Sequence, residues 1–253
     1  MTVSLAELQS ALNELLKPRE FRDYCPNGLQ VEGRESVRSL VTGVTASQAL
    51  IDSAIEKGAD AILVHHGYFW KGEDPVVTGI RKKRLKTLLD KDVNLFAYHL
   101  PLDAHPQFGN NAQLGLKLGF RAEADLDPLH KSRVGVCGSL EDPCTSETLV
   151  QRITDQLQRP PLHIPGRKEI IERIGWCTGS AQSYIELAYE AGVDAYLTGE
   201  VSEQTVHFAR ETGMHFFAAG HHATERYGVQ AVGQYLENEF GIKHEFIDID
   251  NPV

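Results

Sequence analysis

The chain has 253 residues, of which 42% are hydrophobic and 24% charged, a composition typical of a globular protein with one large or two small domains. Lysine and arginine number 25 against 35 acidic residues, and the net charge of −10 argues against direct binding to DNA or to an anionic membrane. The four cysteines have no C-x-x-C spacing, which argues against a zinc ribbon or a disulfide framework. No apolar run reaches the roughly 20 residues of a membrane span, so we expect a cytoplasmic protein.

An amphipathic helix pattern opens the chain and contains acidic residues, unlike a signal sequence. Short segments rich in valine, isoleucine and aromatic residues predict strands at 39–45, 60–66, 93–99, 133–138, 173–179, 194–199, 214–220 and 244–249. Helical patterns lie between many of them, with apolar faces formed by Leu50, Ile51, Ala54 and Ile55 and by Tyr184, Leu187 and Ala188. The residues around Pro26, Asn27 and Gly28 predict turns. This alternation predicts an α/β fold with mixed, largely parallel sheets flanked by helices.

An internal repeat relates residues 46–66 to residues 180–200, shifted by 134 positions. With a slightly different offset, His99-x-x-x-Asp103 falls on His221-x-x-x-Glu225. Either the chain holds two related halves, or β-α-β units simply resemble one another. The first alternative predicts two similar α/β domains, 1–126 and 127–253, divided in the polar stretch 122–132, with the C-terminal segment packing back on the first half. Ligands of open α/β sheets gather at the carboxyl ends of strands, so a site is expected between the halves.

Polar residues follow four of the predicted strands: His65 and His66, His99 with Asp103, Glu200, and His221 with Glu225. Imidazole and carboxylate groups together bind Zn, Mn, Fe, Co or Ni. Because the set exceeds what one catalytic ion takes from a protein, two ions that share a bridging hydroxide are expected, and hydrolysis is the natural reaction. Each pair alone is also compatible with structural, hydrogen-bonded histidines.

Geometry sets conditions on these ligands. His65 and His66 point to opposite faces of a ladder unless the strand ends there, which Gly67 allows. His221 and Glu225 share a face if a helix begins near His221. Pro101 opposes a regular helix, so His99 and Asp103 need an ordered turn to converge.

Several neighbouring residues have less certain roles. Tyr68, Phe69 and Trp70 form either an aromatic wall for a substrate ring or a packing surface. Asn110 and Asn111 stand where a helix should start, which favours helix capping over support of a metal ligand. Glu200 is a candidate general base, whereas His207, farther along the following helix, is expected to be structural.

The segments "PNGLQVEG", "GADAILVHHGYFWKG", "HLPLDAHPQFGNNAQL", "TGEVSEQTVH" and "AAGHHATERYG" resemble the Nif-three-like family of dinuclear-metal proteins, also known as GTP cyclohydrolase I type 2 homologues, in its short bacterial branch. The resemblance implies two similar α/β domains, a toroidal homohexamer built as a ring of dimers or trimers, and two divalent ions per chain. The ligands that it implies are His65, His66, Asp103, His221 and Glu225, with His99 lining the site.

Two functions are compatible with these features. The first is a metal-dependent hydrolase of a nucleotide-like small molecule, of which purine ring opening in a GTP-like substrate is the most specific candidate. In it, a metal-bridging hydroxide attacks the substrate while Glu200 or His99 handles protons. The alternative is a non-catalytic metal-binding ring that acts as a scaffold or regulator in DNA repair or transcription.

Overall fold

The computed structural model of the protein describes residues 1–127 and 134–253. Its strands are β1 (Val3–Ser4), β2 (Gly28–Val31), β3 (Ser36–Val37), β4 (Ser39–Thr45), β5 (Ala61–His66), β6 (Asn94–Ala97), β7 (Phe120–Asp125), β8 (Val136–Cys144), β9 (Leu162–Ile164), β10 (Ile171–Cys177), β11 (Ala195–Thr198), β12 (His215–Ala218) and β13 (Lys243–Phe246). Its helices are α1 (Leu5–Leu16), α2 (Gln48–Glu56), α3 (Gly79–Asp90), α4 (Leu100–Ala104), α5 (Asn110–Leu118), α6 (Ser146–Leu157), α7 (Ile185–Glu190), α8 (Glu203–Thr212), α9 (His221–Thr224) and α10 (Arg226–Phe240), with single 3-10 turns at Pro18–Glu20 and Gln182–Tyr184. Over these residues, no helix is both long and apolar enough to cross a membrane.

The chain divides into two compact units. The first unit consists of Met1–Leu102 and Gly228–Asp250, and the second of Asp103–Tyr227 and Asn251–Val253. The predicted halves, 1–126 and 127–253, are defined by the sequence repeat rather than by compactness, and their boundary stays a prediction.

The first unit is built around a five-stranded sheet with the order β13-β4-β5-β6-β2. Its four strands from β13 to β6 are parallel, and β2 is antiparallel to β6. Leu50, Ile51 and Ala54 of α2 are fully buried in the apolar cluster beside the sheet, as the helical pattern predicts. Burial of the Leu50 side chain and of the Ile51 side chain contributes on the order of 1.5–3 kcal/mol each, which holds α2 on this face.

The second unit contains a six-stranded sheet with the order β7-β8-β10-β11-β12-β9. β10, β11 and β12 are parallel, while β7, β8 and β9 pair in antiparallel fashion. Trp176 is 1% exposed in the apolar cluster of this unit, and its Nε1–H donates to the carbonyl oxygen of Asn111 at 2.9 Å. The prediction of a mixed α/β protein with sheets flanked by helices is confirmed.

Corresponding strands of the two units have the same construction. Leu40 pairs with Ala61 in the first sheet, and Ile174, 134 positions after Leu40, pairs with Ala195 in the second. Asp60 Oδ2 accepts the N–H groups of Arg38 and Ser39. The Asp194 carboxylate, again 134 positions later, accepts those of Glu172 and Arg173. The repeat therefore conserves an aspartate that ties the start of one strand to the start of the next.

The offset changes after these strands. Val64 pairs with Ala97 in the first unit, and Thr198 pairs with Ala218 in the second. Continued along the chain, this register sets His99 against Gly220. The sequence alignment of His99 with His221 is therefore one residue out of register with the ladders.

Two segments differ from the sequence expectation. β7 covers the beginning of the polar stretch 122–132, where no strand is predicted. Residues 128–132 of that stretch, and residue 133 of the predicted strand 133–138, lie outside the described part of the chain. β2 begins at Gly28, where turn residues are predicted, because the backbone pairs there with Ala97 of β6. Gly28 has φ +117°, a conformation that glycine adopts readily, so this residue both completes the turn and begins the strand.

Candidate metal centre

In the first unit, the two adjacent histidines lie at the last residues of β5. His65 is fully buried and its Nδ1 is 3.0 Å from the carbonyl oxygen of Tyr98, while His66 Nδ1 is 3.1 Å from Thr45 Oγ1. Their ring centroids are 4.5 Å apart, so both rings lie on the same side once the strand ends. A β-carbon on Gly67 would collide with neighbouring side chains, so the position directly after β5 requires glycine.

His99 joins the same group of imidazoles. Its ring centroid lies 5.0 Å from that of His65 and 5.8 Å from that of His66. One nitrogen of each of the three rings lies within 4.8 Å of one nitrogen of the others. His99 Nδ1 is 2.7 Å from Asp23 Oδ1, a contact that joins residues 76 positions apart. Three imidazoles thus converge at the carboxyl end of the first sheet.

The three aromatic residues after the histidines have different positions. Tyr68 is buried, and its hydroxyl donates to the carbonyl oxygen of Ala46 at 2.7 Å, so it packs inside the unit. Phe69 has φ +65°, a left-handed conformation that is unusual for a large side chain. Trp70 then lies with its ring centroid 6.0 Å from that of His66 and 5.0 Å from that of His99. Of the three, Trp70 is the ring that lines the imidazole group.

In the second unit, Asp103 lies in the short helix α4. Pro101 is compatible with this helix because it stands in the first turn, where its missing N–H needs no partner. The expectation that Pro101 leaves only a turn is therefore wrong. The Asp103 side chain is buried, and its Oδ1 accepts hydrogen bonds from Asn110 Nδ2 at 2.9 Å and Thr178 Oγ1 at 3.2 Å.

The two asparagines do not cap α5 with their side chains, contrary to the favoured expectation. The N-cap position belongs to Gly109, and Asn110 and Asn111 are the first helical residues. Asn111 Nδ2 donates to the carbonyl oxygen of Asp103 at 3.2 Å, and its Oδ1 accepts the N–H of Thr178 at 3.0 Å. Both side chains therefore hold Asp103. Asn110 supplies a donor that the buried carboxylate requires, and Asn111 holds the main-chain carbonyl of the same residue.

His221 and Glu225 contact each other across one turn. α9 begins at His221, and His221 Nε2 is 3.1 Å from Glu225 Oε2. A carboxylate oxygen of Asp103 lies within 4.8 Å of one of Glu225. A β-carbon on Gly179, which has φ +71°, would collide with Glu225. Gly179 is not among the predicted site residues, although a glycine at the end of a predicted strand is a signal that can be recognised.

Glu200 lies behind His221. Its Oε1 is 2.7 Å from His221 Nδ1, and its Oε2 accepts a hydrogen bond from Ser180 Oγ at 3.1 Å. Burial alone would lower the pKa of His221, but the hydrogen bonds and charges of Glu225 and Glu200 raise it to about 9. His207 is exposed and lies 3.8 Å from Glu203.

The donor groups fit divalent ions. In His65, His66, His99 and His221, Nδ1 faces a protein oxygen, so Nε2 is the nitrogen on the opposite edge of each ring. Metal-ligating histidines characteristically have such an oxygen behind them. The first unit contains a group of three imidazoles, and the second contains a histidine with two carboxylates. Each set consists of donors that borderline divalent ions accept.

Comparison with known proteins extends this description. The family described as Duf34/NIF3 (NGG1p interacting factor 3) matches residues 3–252. A Pseudomonas aeruginosa protein named GTP cyclohydrolase 1 type 2 homolog is 56% identical over 253 residues, 100% of both chains. Its namesake from Escherichia coli K12 is 52% identical and covers 98% of each chain.

Solved structures are similar over almost the whole chain. The structure described as protein ybgI, unknown function, has a TM-score of 0.95 at 51% identity and covers 99% of this chain and 100% of its own. TTHA1606 from Thermus thermophilus has a TM-score of 0.90 at 31% identity, with the same coverage.

Proposed function

This chain belongs to the Duf34/NIF3 family, and on that premise we propose that it binds two divalent metal ions and hydrolyses a nucleotide-like substrate. The observation that carries the proposal is the protein oxygen atom beside Nδ1 of each of the three proposed histidine ligands, His65, His66 and His221. The proposed ligands are His65, His66, Asp103, His221 and Glu225.

The ions would supply Lewis acidity, which activates water and polarises a substrate oxygen. The protein's own residues perform the remaining tasks. Tyr98 and Thr45 orient the two histidines of β5, and Asn110 and Thr178 orient Asp103. His99 is the proposed proton-transfer residue, because it lies beside His65 and His66 without belonging to the ligand set that the family resemblance implies.

Glu200 contributes mainly through His221. Both of its carboxylate oxygens have protein partners, His221 and Ser180. This arrangement supports a positioning role, while a direct part as general base stays a prediction.

The substrate class rests on the names of the relatives, which are GTP cyclohydrolase 1 type 2 homologs. Purine ring opening in a GTP-like molecule is the first reaction to screen. The metal identity is open among Zn, Mn, Fe, Co and Ni, since mixed nitrogen and oxygen ligands suit all five.

The test combines metal analysis with a hydrolysis screen. We expect about two ions per chain in the reconstituted wild type, and loss of bound metal together with nucleotide turnover in His65→Ala. His207→Ala is the control, because that histidine is exposed and contacts Glu203, which is not a proposed ligand. Absence of bound divalent ions after reconstitution would refute the proposal.

Metal-loaded protein that is inert toward GTP and other cyclic or phosphorylated substrates would instead favour the non-catalytic scaffold or regulator. The proposed assembly is a homohexameric ring, on the strength of the family resemblance. Light scattering of the purified protein tests it, and a monomeric mass would contradict it.

A further inference from the structure

The loop before β2 makes a dense set of hydrogen bonds to His99. Asp23 Oδ1 accepts from the N–H of Tyr24 at 2.6 Å and faces His99 Nδ1 at 2.7 Å. Its Oδ2 accepts from Asn27 Nδ2 at 2.8 Å and from the N–H of Leu100 at 2.9 Å. Asn27 Oδ1 accepts the main-chain N–H of His99 at 2.7 Å. The ring and the backbone of His99 are therefore both held by this loop.

Both oxygens of the Asp23 carboxylate are surrounded by donors, namely the N–H groups of Tyr24 and Leu100, the amide of Asn27 and the ring of His99, so the carboxylate acts as an acceptor in each contact. Since the carboxylate has no proton to give, the proton in the 2.7 Å contact belongs to His99 Nδ1. A neutral His99 then has an Nε2 lone pair on the opposite edge of its ring.

Neighbouring rings fix the orientation of that edge. The Trp70 ring stands at 83° to the His99 ring, with centroids 5.0 Å apart. A nitrogen of His99 lies within 4.8 Å of nitrogens of His65 and His66. With Nδ1 occupied by Asp23, Nε2 is the nitrogen of His99 that can act toward these two residues.

The same loop has a second interpretation, as an ion site formed by Asp23, Cys25 and His99, whose donor atoms lie within 4.8 Å of one another. Two observations oppose it. Four donors already occupy the oxygens of Asp23. Burial, with the charge of Asp23, raises the pKa of the Cys25 thiol to about 12, so a thiolate ligand is disfavoured. The loop positions a histidine rather than binding an ion.

We propose that Asp23 is a positioning residue that fixes His99 as its Nδ1–H tautomer and presents the Nε2 lone pair to the substrate beside His65 and His66. The action of Nε2 on a substrate rests on the proposed function, whereas the tautomer and the orientation do not. Glu200 stands in the same relation to His221, at the same 2.7 Å. Each unit thus contains a histidine whose Nδ1 is held by a buried or half-buried carboxylate.

The tautomer is measured by nitrogen-15 NMR of histidine-labelled, zinc-loaded protein, with zinc alone as the probe. His99→Gln assigns the signal by its disappearance. We expect an unprotonated Nε2 and a protonated Nδ1 in the wild type, and a mixed or reversed tautomer in Asp23→Asn. Asp194→Asn is the matched control, since it also removes a carboxylate that accepts two backbone N–H groups, but in the second unit.

A wild-type spectrum with protonated Nε2 would overturn the proposal, and it does so even if Asp23→Asn fails to fold. An unchanged tautomer in folded Asp23→Asn would overturn it as well. If a substrate is turned over, Asp23→Asn should lower kcat about 10- to 100-fold, with KM and zinc content within about twofold of wild type. Failure of all hydrolysis screens would count against the proposed function and leave the NMR result to decide this inference.

Discussion

The substitution Asn110→Ala tests whether Asn110 supports a metal ligand or only stabilises the fold. Asn110 is fully buried, and its amide donates to Asp103 Oδ1 at 2.9 Å. A hydrogen bond to a charged group contributes about 1.5–3 kcal/mol. If that energy orders the carboxylate for the ion, its loss corresponds to about 10- to 150-fold weaker metal binding. This range agrees with the roughly 10- to 100-fold effect of removing a partner of a metal ligand.

Asn94→Ala is the matched control for this measurement. Asn94 is likewise fully buried, accepts the N–H of Gly33 at 2.8 Å, and donates to the carbonyl oxygens of Arg34 and Asp60. It contacts none of the proposed ligands through these bonds. Its removal should lower the free energy of unfolding by about 1–3 kcal/mol without changing zinc affinity.

The assay is competition for zinc against a chromophoric chelator, accompanied by denaturant unfolding of the same samples. The expected result is weaker zinc binding in Asn110→Ala alone. If Asn110→Ala loses stability as Asn94→Ala does but binds zinc like the wild type, the assignment of Asn110 to Asp103 as a functional support is wrong.

Two further predictions concern other positions. Gly179→Ala should weaken zinc binding more than tenfold, because the added β-carbon would displace Glu225. Gly192→Ala is the control: Gly192 has φ +67° and open space around it, so the variant should lose only about 1–2 kcal/mol of stability through its left-handed backbone and bind zinc unchanged. Equal zinc affinity in the two variants would contradict this prediction. Burial alone would raise the pKa of Asp194, but hydrogen bonds from backbone N–H groups of β10 and from Lys168 lower this pKa below its ordinary value of 3.8. The contribution of Asp194 to stability is therefore present above pH 3.8 and is lost as the pH falls through the folded-state pKa. The difference in unfolding free energy between the wild type and Asp194→Asn should therefore shrink between pH 7 and pH 3, and a difference that stays constant would refute the assignment.

The regular parts of the fold can be predicted from the sequence because hydrophobic periodicity is a property of short, local segments. The predicted strand 39–45 coincides with β4, and the repeat correctly equates Asp60 with Asp194. The sequence does not indicate short or polar strands such as β7 and β9, because their stability comes from neighbours in the sheet rather than from their own composition.

The candidate ligands follow from chemistry at strand ends, but their supports do not. Asp23 acts on a histidine 76 positions away, and no local pattern links the two. Asn110 fits helix capping equally well in sequence, and only the tertiary position of Asp103 decides its role. Long-range hydrogen bonds of this kind have no periodicity, so a single sequence does not reveal them.

The pairing of β13 with β4 has a consequence for biosynthesis. Lys243 to Phe246 hydrogen-bond with Ser39 to Thr42, although about 200 residues of translation separate them. While the ribosome adds those residues, one edge of β4 has no strand to pair with and is open to chaperones and to other nascent chains. Residues 103–227 of the second unit, which are all of it except Asn251–Val253, are synthesised before that edge is closed. The sheet of the first unit is therefore completed after the sheet of the second, and a truncation before β13 would expose the strand that lies directly beside β5 and its two histidines.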